Sequence, residues 1–97
     1  MGGRPYLVFG YLDDCSHCHA AAPAVGQVAR EARVYCQPAP VSRGGKFPVP
    51  VEGFPALAFL AGDGRVLGSI VGLTRARDMR QWMAGVLAEE AQRRKDG

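Results

Sequence analysis

Cys15 and Cys18, three positions apart in Cys15-Ser16-His17-Cys18, can close a small reversible disulfide, and they stand at the seam between an apolar run and an alanine-rich one. Tyr6-Leu7-Val8-Phe9-Gly10-Tyr11-Leu12 is apolar on both alternating sets, as a strand covered on both faces of a sheet would be, and Asp13 and Asp14 end it. Beyond the motif, Ala21, Val25, Val28 and Ala32 recur at offsets of four, three and four, the stripe of an amphipathic helix. A strand that passes into a helix through this motif puts the first sulfur at the helix N-terminus. There the unpaired N–H groups and the positive end of the dipole favour thiolate over thiol. Only the thiolate attacks disulfides, so the spacing predicts redox exchange with Cys15 attacking and Cys18 resolving.

The same residues spell a second motif, because His19 follows Cys18 and Cys-x-x-Cys-His is also the attachment signature of c-type haem. An electron carrier of that kind would hold iron through His19 and a distal ligand, with Met79 or Met83 as the methionines downstream. Against it stand the strand-like segment before the cysteines and the strand signals between Phe54 and Gly72. A zinc site from Cys15, Cys18, Cys36 and a histidine is conceivable by ligand type, but no second Cys-x-x-Cys or His pair supports it, and no metal is expected. Cys36 reads as a small core residue.

The chain of 97 residues has room for one core, and a single domain over 1–97 is expected, with its core at about 5–90. An apolar share of 47% against 22% charged residues marks a globular chain rather than a disordered one. The net charge of +3 is modest, and Arg93-Arg94-Lys95 sits where cations complement the C-terminal end of a helix, so no nucleic-acid partner is inferred. No run reaches the length needed to span a bilayer, and Met1-Gly2-Gly3-Arg4-Pro5 does not read as a secretory signal. With an odd cysteine count, this predicts a cytoplasmic monomer. A periplasmic protein without its signal is the alternative.

Further elements follow from local patterns. Arg33-Val34-Tyr35-Cys36-Gln37 reads as a short strand, and Pro38 to Pro50, with four prolines and two adjacent glycines, as an irregular loop without a helix. Ala56 to Ala61 is an apolar strand, Gly62-Asp63-Gly64 a turn, and Arg65 to Gly72 the antiparallel return. Thr74 is the expected N-cap of a last helix whose core stripe is Met79, Trp82, Met83, Val86 and Leu87, with a polar tail fraying past Ala91. The order β-α-β, then β-β-α, predicts an α/β fold around a four-stranded mixed sheet, its crossover right-handed.

With these motifs in this order the chain resembles the thioredoxin superfamily. Cys15 to Cys18 with Pro23, five residues after the second cysteine, is similar to the family's active-site helix and its kink-forming proline. Gly53-Phe54-Pro55 is similar to its cis-proline segment beside the disulfide, Gly62 to Val66 to its hairpin turn, and Gly72 to the glycine ending the last strand. The outline is closer to glutaredoxin, since the extra N-terminal strand and helix of thioredoxin have no counterpart. Asp14 stands where thioredoxin has a tryptophan, and Phe9 where it has a buried carboxylate. His17 is similar to the histidine of periplasmic disulfide-introducing oxidases, which stabilises the thiolate.

The resemblance implies a thiol-disulfide oxidoreductase that needs no cofactor. Cys15, Cys18 and His17 would be the catalytic residues, and Phe54, Pro55, Gly72 and Ser16 the substrate-binding ones. Its partners would be disulfide-containing proteins or glutathione-type thiols, with a reductase or thiol electron donor to regenerate it. The pull of His17 and the dipole towards thiolate is opposed by the charges of Asp13 and Asp14, so direction stays open. A non-catalytic thioredoxin-like binding module is the further alternative.

Overall fold

The structure, a computed structural model, describes residues 3–96. Strand β1 (Tyr6–Tyr11) leads into helix α1 (Ser16–Ala32), then β2 (Tyr35–Pro40), a short 3-10 turn at Val41–Arg43, β3 (Ala56–Leu60), β4 (Val66–Val71) and helix α2 (Ala76–Asp96). The sheet has four strands in the order β2-β1-β3-β4. The pairing of β1 with β2 is parallel, and β3 is antiparallel to both β1 and β4. This is the α/β architecture with a mixed sheet expected from the pattern.

Period-two alternation assigns the two faces of the sheet. Leu7 and Phe9 of β1 with Leu57 and Phe59 of β3 face the helices, where Ala21, Val25, Val28 and Ala29 of α1 and Met79, Met83 and Val86 of α2 complete the main core. On the other face, Val8, Ala58, Leu60 and Ala39 are buried with Tyr6, Val66 and Phe47 packed on them. Both faces of β1 are therefore covered, the second one by the proline-rich loop and not by a helix.

Several expectations are corrected. Ala32 is exposed and Ala29 is buried: 3.6 residues per turn keep position 32 in line with Val25 and Val28, but it is the last residue of α1, where the chain turns away at Arg33, whereas Ala29 lies a turn further into the helix. Arg33 is not a strand residue: it takes the left-handed conformation (φ 56°) and stops α1, its N–H and that of Val34 returning to the carbonyls of Arg30 and Ala29. The strand consequently starts at Tyr35 and runs on through Pro38 to Pro40, which β2 tolerates as the outermost strand of the sheet. The loop then holds one turn of 3-10 helix. Helix α2 starts at Ala76, so Arg75 and not Thr74 occupies the cap position, its carbonyl accepting the Met79 N–H at 3.1 Å. Leu87 is 46% exposed, outside the core stripe, and the helix extends past Ala91 to Asp96, with Arg94 near Glu90 one turn back.

Candidate active site

The strand-to-helix junction is built by Cys15 itself. It stands in extended conformation as the N-cap of α1, where a serine or aspartate would ordinarily offer an oxygen, and its sulfur accepts the Cys18 N–H at 3.1 Å. Its carbonyl accepts the first helical bond, from the His19 N–H at 3.1 Å. One orphan helix donor is thus aimed at the sulfur, the arrangement that favours negative charge on it. The Cys15 thiol also lies 3.8 Å from the Phe54 carbonyl oxygen, to which it can donate. Cys15 is part-exposed and Cys18 buried at 2%.

Burial, and then the neighbouring Cys15 sulfur, push the Cys18 thiol up to about 11. The two sulfurs are inequivalent: one is accessible and backed by a helix donor, the other is buried and held as a thiol. Cys36, whose thiol burial also pushes up to about 11, lies in β2 opposite Leu7 and packs at the edge of the main core.

The Phe54–Pro55 peptide is cis. Pro55 is buried, and its carbonyl accepts the Gly72 N–H at 2.8 Å, with Gly72 at φ 92°, a conformation that suits glycine. Cys15, Cys18, Phe54, Pro55 and Gly72 therefore form one linked set. Ser16 and His17, the first two residues of α1, are exposed, and neither side chain makes a hydrogen bond.

Three features escaped the sequence. Asp13 is tied down on every side: Arg43 Nε lies 3.2 Å from its carboxylate, its N–H donates to Ser42 Oγ at 2.9 Å, and its carbonyl lies 2.8 Å from His19 Nε2. Its charge is thus partly offset by Arg43 and opposes a thiolate less than expected. Arg43 also donates to the Tyr11 hydroxyl at 3.0 Å. Phe47 meets Phe54 edge to face with ring centroids 6.5 Å apart, so the loop buttresses the cis-proline segment. The pairings of Asp13 with Ser42 and Arg43 and of Tyr11 with Arg43 span 29 to 32 residues of chain, beyond any local pattern. The place of His19 is legible, since it adjoins Cys18 in the motif. Its Nε2 is held by the Asp13 carbonyl, and Met79 and Met83 are core residues at 1% and 4% exposure. Among the described residues no cluster of three metal-binding side chains occurs.

Neither the protein-family models nor the curated proteins give a match. Solved structures do. One is the dsbF protein of MTB in mixed oxidized and reduced forms, 19% identical with a TM-score of 0.62 over 87% of this chain and 81% of that one. Another is the C-terminal domain of Neisseria meningitidis DsbD in the oxidised form, 19% identical with a TM-score of 0.56 over 84% and 79%. At that identity the likeness concerns architecture, and the fold is thioredoxin-like.

Proposed function

We propose that this thioredoxin-like chain is a thiol-disulfide oxidoreductase. The observation that carries the reading is the inequality of the two thiols: Cys15 caps the helix and accepts the Cys18 N–H, whereas Cys18 is buried and pushed up to about 11. In exchange, the Cys15 thiolate attacks one sulfur of a substrate disulfide and expels the other as thiolate. Cys18, once deprotonated, attacks Cys15 Sγ, releases the substrate's second sulfur and closes the Cys15–Cys18 disulfide, two electrons having passed to the substrate. A reductase or a small thiol returns them. Run backwards, the same steps insert a disulfide.

Phe54 and Pro55 line the approach to Cys15 and offer backbone to an extended segment of a disulfide-bearing protein or of a glutathione-type thiol. Gly72 and Ser16 flank it, and His17 biases Cys15 towards thiolate. The odd cysteine count suits a reducing compartment, the cytoplasm, and hence the reductase direction. That two similar structures were obtained in oxidised or mixed redox forms accords with the reading. No helix among the described residues is long and apolar enough to cross a membrane.

The test is equilibration of the chain in graded glutathione redox buffers, followed by trapping with a protein disulfide substrate. A reversible Cys15–Cys18 couple is expected, with Cys18→Ala accumulating the mixed disulfide and Cys15→Ala inert. Turnover that survives Cys15→Ala, or the lack of a reversible couple, would refute the assignment.

A further inference from the structure

Cys18 must lose a proton before it attacks Cys15, yet burial holds it as a thiol and no carboxylate acts on it. A pocket of about 330 Å³ opens at its back, walled by Phe9, Tyr11, Cys18, His19, Ala22 and Pro38. The pocket is open on one side, and exposed His19 and Pro38 on its wall connect it to solvent. Of its titratable groups other than Cys18, Tyr11 has its hydroxyl oxygen accepting from Arg43, which leaves His19. A carbonyl only accepts, so the 2.8 Å contact with the Asp13 oxygen puts the proton of a neutral His19 ring on Nε2 and leaves Nδ1 as the basic nitrogen. The carboxylate of Asp13, the residue whose carbonyl His19 meets, is paired with Arg43. The other sulfur facing Cys18 is Cys15, which has become a neutral disulfide by the time Cys18 must ionise.

We propose that His19, oriented by the Asp13 carbonyl, is the proton acceptor for Cys18 during resolution of the mixed disulfide. The proton leaves Cys18 Sγ through solvent in the pocket and arrives at His19 Nδ1. The Cys18 thiolate then bonds to Cys15 Sγ, the bond from Cys15 to the substrate sulfur breaks, and the substrate departs as thiolate. His19 returns its proton to the departing thiolate or to bulk water. In the reverse direction imidazolium protonates Cys18 as it leaves.

This rests on the exchange chemistry proposed above, and one assay separates the two. Reduced protein carrying Cys36→Ser is mixed with a nitrobenzoate disulfide whose released thiolate is coloured. The first release reports attack by Cys15, the second attack by Cys18 on the mixed disulfide. His19→Gln, which keeps an N–H for the Asp13 carbonyl, should leave the first release unchanged and slow the second by about tenfold or more, within the usual range for losing a general base. In His19→Ala, added imidazole should restore the second release. The reduction potential should be unchanged, because a base lowers the barrier equally in both directions. A second release as fast in both variants as in the parent would overturn the proposal, as would a slowing that imidazole leaves untouched or that comes with a shifted potential. Absence of any second release in the parent would instead refute the exchange reading itself.

Discussion

Cys15 and Cys18 stand within a single turn of one another, yet Cys15 is part-exposed and accepts a helix N–H whereas Cys18 is buried, and access governs thiol reactivity. Alkylation at mildly acidic pH should therefore modify Cys15 first, while Cys18 and Cys36, both pushed up to about 11, react only as the pH approaches that value. Mass mapping after limited exposure to iodoacetamide reads this directly, and early labelling of Cys18 or Cys36 would contradict it. His17 bears on the potential. A cation or N–H donor near the Cys15 sulfur stabilises the reduced thiolate and gains little from the neutral disulfide, so it makes the couple more oxidising. His17→Pro should lower the reduction potential by an amount on the order of 30 mV, equivalent to about 1.4 kcal/mol, read against glutathione. An unchanged potential would leave the helix start alone responsible for activating Cys15.

The helices carry this chemistry through their ends and their mutual contact. Arg33 closes α1 in the left-handed region, which costs a residue with a Cβ roughly 1–2 kcal/mol. Arg33→Gly removes that strain while enlarging the freedom of the unfolded chain, so a net gain of about 0.5–1 kcal/mol in chemical denaturation is expected. Glu31 of α1 and Arg80 of α2 meet in a two-pronged ion pair, Nε to Oε1 at 2.6 Å and Nη2 to Oε2 at 3.1 Å. The hydrogen bond from Arg80, aided by Gln27, holds the Glu31 carboxyl below its ordinary value. Because the folded value is the lower one, the pair's stabilisation is complete above the ordinary carboxyl range and fades as pH falls through the lowered one. Arg80→Gln should lower Tm slightly near neutrality in dilute buffer, with the gap closing in acid or in about 1 M salt. A gap independent of both would mean that the side chain's packing, not its charge, supports the helix pair.

Across the whole molecule, the face of the sheet away from the helices is sealed by the loop between β2 and β3, and the same loop supports the active site. Gly10 makes this possible: a methyl group there would sit 2.6 Å from Phe47 Cδ1 and 3.1 Å from Phe54 Cε1. Gly10→Ala therefore has to displace Phe47 and, with it, the ring against Phe54. A loss of about 1–3 kcal/mol is expected, the usual cost of overfilling a packed site. Because Phe54 supplies the carbonyl 3.8 Å from Cys15, exchange by the remaining folded protein should slow as well. Denaturation and single-turnover exchange measured on one preparation separate the two effects. Wild-type stability in Gly10→Ala would show that Phe47 does not need the space.

Local information was enough for what depends on local physics. The helix start at Cys15, the apolar strands β1 and β3 and the Gly62-Asp63-Gly64 turn are written in neighbouring residues, because capping, periodicity and turn conformations are settled within a few positions. The redox pair was legible for the same reason. The ends of β2 and the exposure of Ala32 and Leu87 were not, since strand pairing and the angle at which a helix meets the sheet override local preference. Nor were the pairing of Arg43 with Asp13, the covering of the second face by Phe47, or the engagement of His19 with the Asp13 carbonyl. The first two join segments about thirty residues apart or more, brought together only when the chain closes around its core. The third lies within the motif, but needed the coordinates to show which ring nitrogen faces the carbonyl.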